Sequence, residues 1–324
     1  MPGSETLFLA FVGGIFGASL GALWAFCLCG LMTLFGCGLI LAGGSDFLLL
    51  QVGLGPIFGP HAGGFLAGVV ASSYASGFRG NHPGGPEAGK DILSPLIGTS
   101  WDVLVVGGLA SLLSVLLVPV VAAIPILNQA DHLALAILMV TFISRFFFQK
   151  EGLFGKALTR KQFGLLGTNS YQISWLPWMA PWPRLLVLGF GVGGLSGGVA
   201  KLCLAAMATG NLTTAGAGTV PIIFGWGFSA MMLTCLQLGQ GKVAKVPCTH
   251  CMALVAALGY VYTNSLIVAA LCGTLGALTQ ELGARLFYNH AHDHLDPPAA
   301  GIAMGSLILS FVFKPEWLNL SAWF

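Results

Sequence analysis

Asn289-His290-Ala291-His292-Asp293-His294-Leu295-Asp296-Pro297-Pro298 holds three of the chain's seven histidines and two of its eleven carboxylates. Its core, Asp293-His294-Leu295, has an echo in Asp131-His132-Leu133. The echo lies 162 residues earlier (293 − 131), half of the 324-residue chain. The same shift lays Leu104-Val105-Val106-Gly107-Gly108-Leu109 over Leu266-Ile267-Val268-Ala269-Ala270-Leu271. Upstream, Gly13-Gly14-Ile15-Phe16-Gly17-Ala18 resembles Gly193-Gly194-Leu195-Ser196-Gly197-Gly198 at a shift of 180, and Pro60-His61 resembles Thr249-His250 at 189. Single matches among Leu, Val and Gly carry little in so apolar a chain; their shared order is the signal. The shrinkage from 189 to 162 falls on residues 79–100, a polar Gly/Pro-rich loop without a counterpart. The chain therefore divides into two repeats, 1–162 and 163–324.

Charged residues are 7% of the chain and apolar ones 56%. Soluble domains carry about 25% charged residues, so this composition cannot make a water-facing surface. Apolar runs of membrane-spanning length recur along the whole chain. Helices satisfy their own backbone in lipid, and the alternation of a membrane barrel is not seen. The 47 glycines fit close helix approach. The fold class expected is an all-α integral membrane protein with about ten transmembrane helices. Spans are expected at 6–24, 25–43, 61–78, 101–124, 132–149, 183–208, 214–238, 247–262, 264–287 and 299–314. Five spans per half is an odd number, so the halves enter the membrane in opposite senses. That is a five-plus-five inverted-topology repeat in one membrane-embedded unit. Gly53-Leu54-Gly55-Pro56-Ile57-Phe58-Gly59-Pro60 breaks the apolar run before the third span, as a re-entrant or unwound segment would.

The basic residues give the sidedness. Arg79, Lys90, Arg145, Lys150, Lys156, Arg160, Lys161, Arg184, Lys242, Lys245 and Arg285 all fall on one side by span count, against Lys201 and Lys314 on the other. The positive-inside bias makes the rich side cytoplasmic and places both termini outside, in a multi-pass protein of the cell membrane. No Lys or Arg precedes the first apolar run, so a cleaved leader is not expected. Trp175, Trp178 and Trp182 are expected along the membrane interface. The net charge of +2 gives no reason to expect nucleic acid. The eight scattered cysteines suit apolar packing and imply no disulfide framework.

The succession GGIFGASLGAL, PIFGPHAGGFLAGVVASSYA, GKDILSPLIG, WDVLVVGGLA and HDHLDPPAAGIA resembles an uncharacterised prokaryotic family of Gly-rich polytopic membrane proteins over most of the chain. The resemblance implies membership of an integral membrane family of unknown function and brings no substrate or site residues. The five-plus-five plan is also similar to that of urea permeases and sodium-coupled permeases, a likeness of fold alone.

Broken segments at matching places in two halves point to a transporter's binding site. Here they are Pro60-His61 and Thr249-His250, where freed backbone N–H groups and a helix start suit an anion or polar solute. The competing role for each histidine is a span cap bonded to a carbonyl. Gln51 in the first break is a candidate cavity lining; Asp102 and its repeat counterpart Asn264 are candidates for pore polarity. Cys248-Thr249-His250-Cys251 and His290-x-His292-Asp293-His294 contain metal-ligand types, so Cys248, Cys251, His290, His292, Asp293 and His294 are candidate ligands. Against this stands a solvated turn, with Asp293 capping the helix that Pro297-Pro298 begin. No phosphate loop, nucleophile elbow or H-E-x-x-H occurs, so hydrolysis has no positive signal. The function expected is a channel or secondary transporter for a small polar solute or ion, a neutral or anionic one before a multivalent cation. Its site lies between the halves, no catalytic residue is assigned, and no cofactor is expected. The alternatives are a membrane metalloprotein or enzyme using the Cys/His cluster, and a non-catalytic subunit of a membrane complex. Partners expected are the lipid bilayer, the solute and, as an open option, further copies of the chain.

Overall fold

The computed structural model of the protein describes residues 2–167, 172–210, 212, 214–239 and 245–313. Lys242 and Lys314 lie outside the described residues. The apolar runs form helices α1 (Ser4–Leu20), α2 (Ala22–Leu41), α3 (Leu66–Tyr74), α4 (Trp101–Ala123) and α5 (His132–Ser144). After the short α6 (Ala157–Phe163) come α7 (Trp182–Gly210), α8 (Val220–Met232), α9 (Thr234–Leu238), α10 (His250–Thr263), α11 (Leu266–Gly283) and α12 (Pro297–Phe313). π turns lengthen α3 to Arg79, α5 to Gln149 and α11 to Tyr288. Six helical stretches are long and apolar enough to cross a membrane: Ala22–Leu41, Trp101–Ala123, His132–Gln149, Trp182–Gly210, Ala215–Leu238 and Leu266–Tyr288. Ser4–Leu20, His250–Thr263 and Pro297–Phe313 are apolar but shorter. Large apolar side chains such as Phe8, Phe16, Val187, Leu195, Leu202 and Ile267 point outward, a surface that water would disfavour.

Polar side chains set the helix starts. Asp131 Oδ1 accepts the Ala134 N–H at 2.8 Å and Asp296 Oδ2 accepts the Ala299 N–H at 2.8 Å, each satisfying an orphan donor of a first turn. Pro297 and Pro298 then open α12, where a missing N–H costs nothing. Asn264, at φ 53, ends α10 in the left-handed region that Asn tolerates. Two residues later α11 begins.

Packing runs in the same order along the chain twice. α1 lies on α4 as α7 lies on α11; α3 lies on α4 as α10 on α11; α4 meets α5 as α11 meets α12. Between the two groups, α2 packs on α8 and α5 on α12. Small residues make these approaches close. A Cβ on Gly14 would stand 2.7 Å from the Gly107 carbonyl oxygen, and one on Gly193 would stand 2.8 Å from the Ala269 carbonyl oxygen.

The third expected span differs. Its helix starts at Leu66 rather than residue 61, because Gly55, Pro56, Gly59 and Pro60 keep residues 54–65 in turns. The chain retraces α2 through a π turn at Leu48–Gly53, with Cys29 Sγ donating to the Gly53 carbonyl at 3.0 Å. In the other half, the irregular segment before α10 includes residues 245–249.

Candidate functional site

Where α2, α8, α5, α12 and the start of α10 meet, they line a cavity of about 40 Å³. A water needs roughly 10–15 Å³ on this measure, so the space suits a few waters or a small solute. Its walls come from both groups of helices at constant spacing. Asp131, Ala134 and Ile137 of the α5 start face it, and so do Asp296, Ala299 and Ile302 of the α12 start; each pair is 165 apart (296 − 131, 299 − 134, 302 − 137). Phe26, Phe65, Trp226 and His250 complete much of the rest, with Pro60 and Leu54 from the broken segment.

A second cavity, of about 50 Å³, shares Phe26, Phe65, His250 and Asp296 with the first and continues to Trp175, Cys248 and His294. The shared side chains form a partition. Phe26 lies 5.3 Å from Phe65, 5.4 Å from Trp226 and 5.0 Å from His250, between ring centroids. Phe65 meets His294 edge-on at 5.8 Å. His294 Nε2 stands 3.2 Å from Asp296 Oδ1, which leaves this carboxylate bonded on both oxygens.

The histidine-rich stretch is a hub on the same side as the second cavity. Arg145, 1% exposed, donates from Nε to Asp293 Oδ1 at 2.6 Å, and from its other nitrogens to the carbonyls of Leu153 at 2.8 Å and Phe287 at 2.6 Å. Three donors of one guanidinium thus find acceptors, which lets a charge be buried. His292 bridges Lys156 and Glu151, whose carboxylate is 3.0 Å away. The Lys156 N–H donates to the His290 carbonyl at 2.8 Å, and the His294 N–H to that of Gly89 at 3.2 Å. Lys90 sits 4.3 Å over the Tyr288 ring. Burial, with the Asp293 charge next in weight, pushes the Glu151 carboxyl up to about 7. Burial likewise pulls the Lys90 ammonium down to about 8. It raises Asp293 too, against the pull of Arg145.

These contacts correct the sequence register. Asp293 does not cap α12; it pairs with Arg145, and Asp296 is the cap. The structural partner of Asp131 is therefore Asp296, three residues after the Asp293 of the Asp-His-Leu match. Trp175 and Trp178 are partly buried against the core, with Trp178 Nε1 donating to the Val246 carbonyl at 3.3 Å. Trp182 is exposed and carries Arg285 at 4.9 Å over its ring.

Of the expected site residues, His250 and Pro60 line the first cavity, while Thr249 is buried beside them. His61 is buried in the unwound segment, its Nδ1 without a partner, and does not line either cavity. Gln51 is exposed on the π turn. Asp102 accepts the Tyr74 hydroxyl at 2.9 Å and pairs with Arg79 at 3.1 Å, away from both cavities. Asn264 serves the α10–α11 turn. The candidate metal ligands do not converge. Cys248 Sγ is 3.4 Å from His250 Nδ1, but Cys251 Sγ donates to the Gly276 carbonyl at 3.3 Å. His290 Nε2 bonds the Leu165 carbonyl at 3.0 Å, and His292, Asp293 and His294 have the partners above. Among the described residues no three His, Cys, Asp or Glu side chains are grouped to hold a metal ion.

One Ser–His contact lies elsewhere. Ser72 Oγ is 3.0 Å from His82 Nε2, but His82 Nδ1 accepts the Gly84 N–H at 3.0 Å. The neutral ring then carries its proton on Nε2 and donates to the serine, the reverse of what a general base needs. Ser72 in turn donates to the Asp91 carbonyl at 2.8 Å, and the pair fastens the loop 80–100.

Side chains without charge or motif were beyond sequence reasoning. Phe26 and Trp226 sit inside apolar runs and meet through the packing of α2 on α8, and Phe65 joins them from the turn before α3. Asp296 was visible as a carboxylate before Pro297-Pro298, the signal of a helix start.

One family model matches the chain twice, over residues 3–172 and again over 167–324; its description is Family of unknown function (DUF7973). No curated protein and no solved structure matches the chain.

Proposed function

The chain belongs to this family of unknown function, and we propose that it is a channel or secondary transporter for a small polar solute or ion. The carrying observation is the cavity walled by Asp131, Ala134 and Ile137 from one half and by Asp296, Ala299 and Ile302 from the other. The transport path runs through it. The halves are two repeats joined near residues 162–163, five spans each and inverted in the membrane. Support comes from the double family match and from the twice-repeated packing order. The two halves also approach closely where α2 meets α8: a Cβ on Gly30 would meet the Gly227 carbonyl oxygen at 3.0 Å, and one on Gly227 the Gly30 carbonyl oxygen at 3.3 Å. Transporters built from inverted repeats hold their solute at the repeat interface near the midplane.

The shorter helices α1, α3, α10 and α12 complete the ten spans, and the protein is a multi-pass protein of the cell membrane. The end that gathers Lys90, Arg145 and Lys156 faces the cytoplasm, and both termini lie outside. His250, between the two cavities, is a solute-contacting residue.

The test is access. In a background with the eight native cysteines replaced by serine or alanine, Ile137→Cys and Ile302→Cys are exposed to a charged, membrane-impermeant thiol reagent. Reaction at both positions, each faster from a different side of the membrane, is expected. Two thiols that stay unreactive from either side of intact vesicles, yet react after denaturation, would mean a closed packing core and no path.

A further inference from the structure

The lining of the first cavity has a sign. Two carboxylates reach it, Asp131 and Asp296, and among the described residues no lysine or arginine lines it. Each carboxylate already accepts a first-turn N–H, at 2.8 Å in both cases. The positive ends of α5 and α12 are thereby met by protein charge and offer little to an anion.

The two acids do not form a pair. The Asp131 N–H donates to Ser306 Oγ at 2.9 Å, and Ser306 stands ten residues (306 − 296) beyond Asp296. At a rise of 1.5 Å per residue that is about 15 Å along α12. Each acid therefore stands at its own end of the cavity. The rings of Phe26, Phe65 and Trp226 line the same cavity; aromatic faces carry partial negative charge and attract cations. Calcium and magnesium take six or more oxygens gathered together, which this spacing does not supply. A cavity of about 40 Å³ leaves no room for a sugar or a nucleoside.

We propose that the species passed through this cavity is a small monovalent cation, taken over between Asp131 at one end and Asp296 at the other across an aromatic passage. The proposal rests on the transport function above and replaces the expectation of a neutral or anionic solute. One carboxylate balances one positive charge at each end, and the rings lower the cost of the stretch between them.

The experiment uses the purified full chain in liposomes preloaded with the unlabelled probe, and follows uptake of the labelled one. Rubidium stands for a metal ion and guanidinium, which keeps its proton at neutral pH, for an organic cation; iodide and urea are the anionic and neutral probes. Uptake of rubidium or guanidinium above protein-free vesicles is expected, reduced about tenfold or more, the loss of one good polar contact, in Asp131→Asn and in Asp296→Asn. Asparagine caps a helix as well as aspartate does, so the charge is removed with the cap kept. Asp131→Ser and Asp296→Ser repeat the test with a third capping side chain. Uptake of iodide or urea with both cations excluded overturns the cation proposal and leaves transport standing. Cation uptake unchanged in both asparagine variants also overturns it. If none of the four probes enters, the proposal and the transport function fall together.

Discussion

At the scale of residues, Arg145 and Asp293 decide how the end that carries the histidine-rich stretch is held. Both side chains are almost wholly buried, 1% and 2% exposed, at 2.6 Å. Removing one partner of such a pair strands a charge, at a cost of about 3–5 kcal/mol, whereas replacing both with apolar groups is often neutral. Asp293→Ala is therefore expected to lower the thermal midpoint in detergent sharply, and Arg145→Met with Asp293→Leu to recover most of the loss. The same end carries a pH signature. Glu151, pushed up to about 7, keeps in the folded state a proton that the unfolded chain gives up, so stability falls as pH rises from the usual carboxylate range to about 7. Lys90, pulled down to about 8, loses its proton first in the folded state, so stability recovers as pH rises from about 8 toward the usual lysine range. A thermal midpoint lowest between about pH 7 and 8 is expected, with Glu151→Gln flattening the acid limb alone. Sequence reasoning reached this stretch by its histidines but misplaced its roles. The Asp-His-Leu identity aligned Asp131 with Asp293, while the chemistry that recurs is a carboxylate at a helix start, which aligns it with Asp296.

At the scale of elements, most helices were legible because length and apolarity decide them: α4, α5, α7 and α11 lie within a few residues of expectation. The late start of α3 was foreshadowed by Gly55, Pro56, Gly59 and Pro60. The π turns that lengthen α3, α5 and α11 left little mark: nothing in Arg145–Gln149 opposes an ordinary helix, and a single glycine, Gly77, interrupts Ala75–Arg79. The α1–α4 and α7–α11 contacts depend on the absence of side chains. Gly14→Ala and Gly193→Ala each force a helix pair apart and are expected to cost about 1–3 kcal/mol, the range of overpacking. Gly191→Ala, whose Cβ would meet nothing within 4 Å, is the control. Size-exclusion traces after a heat step, followed for all three, check this; since Ala favours a helix over Gly by about 1 kcal/mol, a loss at Gly191 as large as at Gly14 and Gly193 would show that close approach is not the cause.

At the scale of the whole molecule, the helices of residues 1–162 and of 163–324 meet along α2–α8 and α5–α12, and the cavity lined by Asp131 and Asp296 exists only in that union. No inspection of either half would reveal it. Residues 1–166 and 167–324, expressed together as separate chains, are expected to co-purify, and each alone to aggregate, as exposure of the α2 or α8 face would cause. Recovery of monodisperse single halves on gel filtration would contradict this. The loop 80–100 breaks the likeness of the halves. Its Ile92 carbonyl accepts the Leu23 N–H at 2.9 Å, its Asp91 carbonyl holds Ser72, and its Leu93 carbonyl accepts Gln237 at 2.8 Å, whereas α10 and α11 are joined by two residues. A carrier whose halves were identical would exchange their conformations at no net free-energy change, and its inward and outward forms would be equally populated. A clasp on one mouth only removes that degeneracy, and each 1.4 kcal/mol of clasp contacts weights the ratio about tenfold toward the form it holds. On the transport function proposed above, the resting protein is then biased and its fluxes in the two directions saturate at different concentrations, with the asymmetry written in twenty-one residues (80–100) rather than in the site itself.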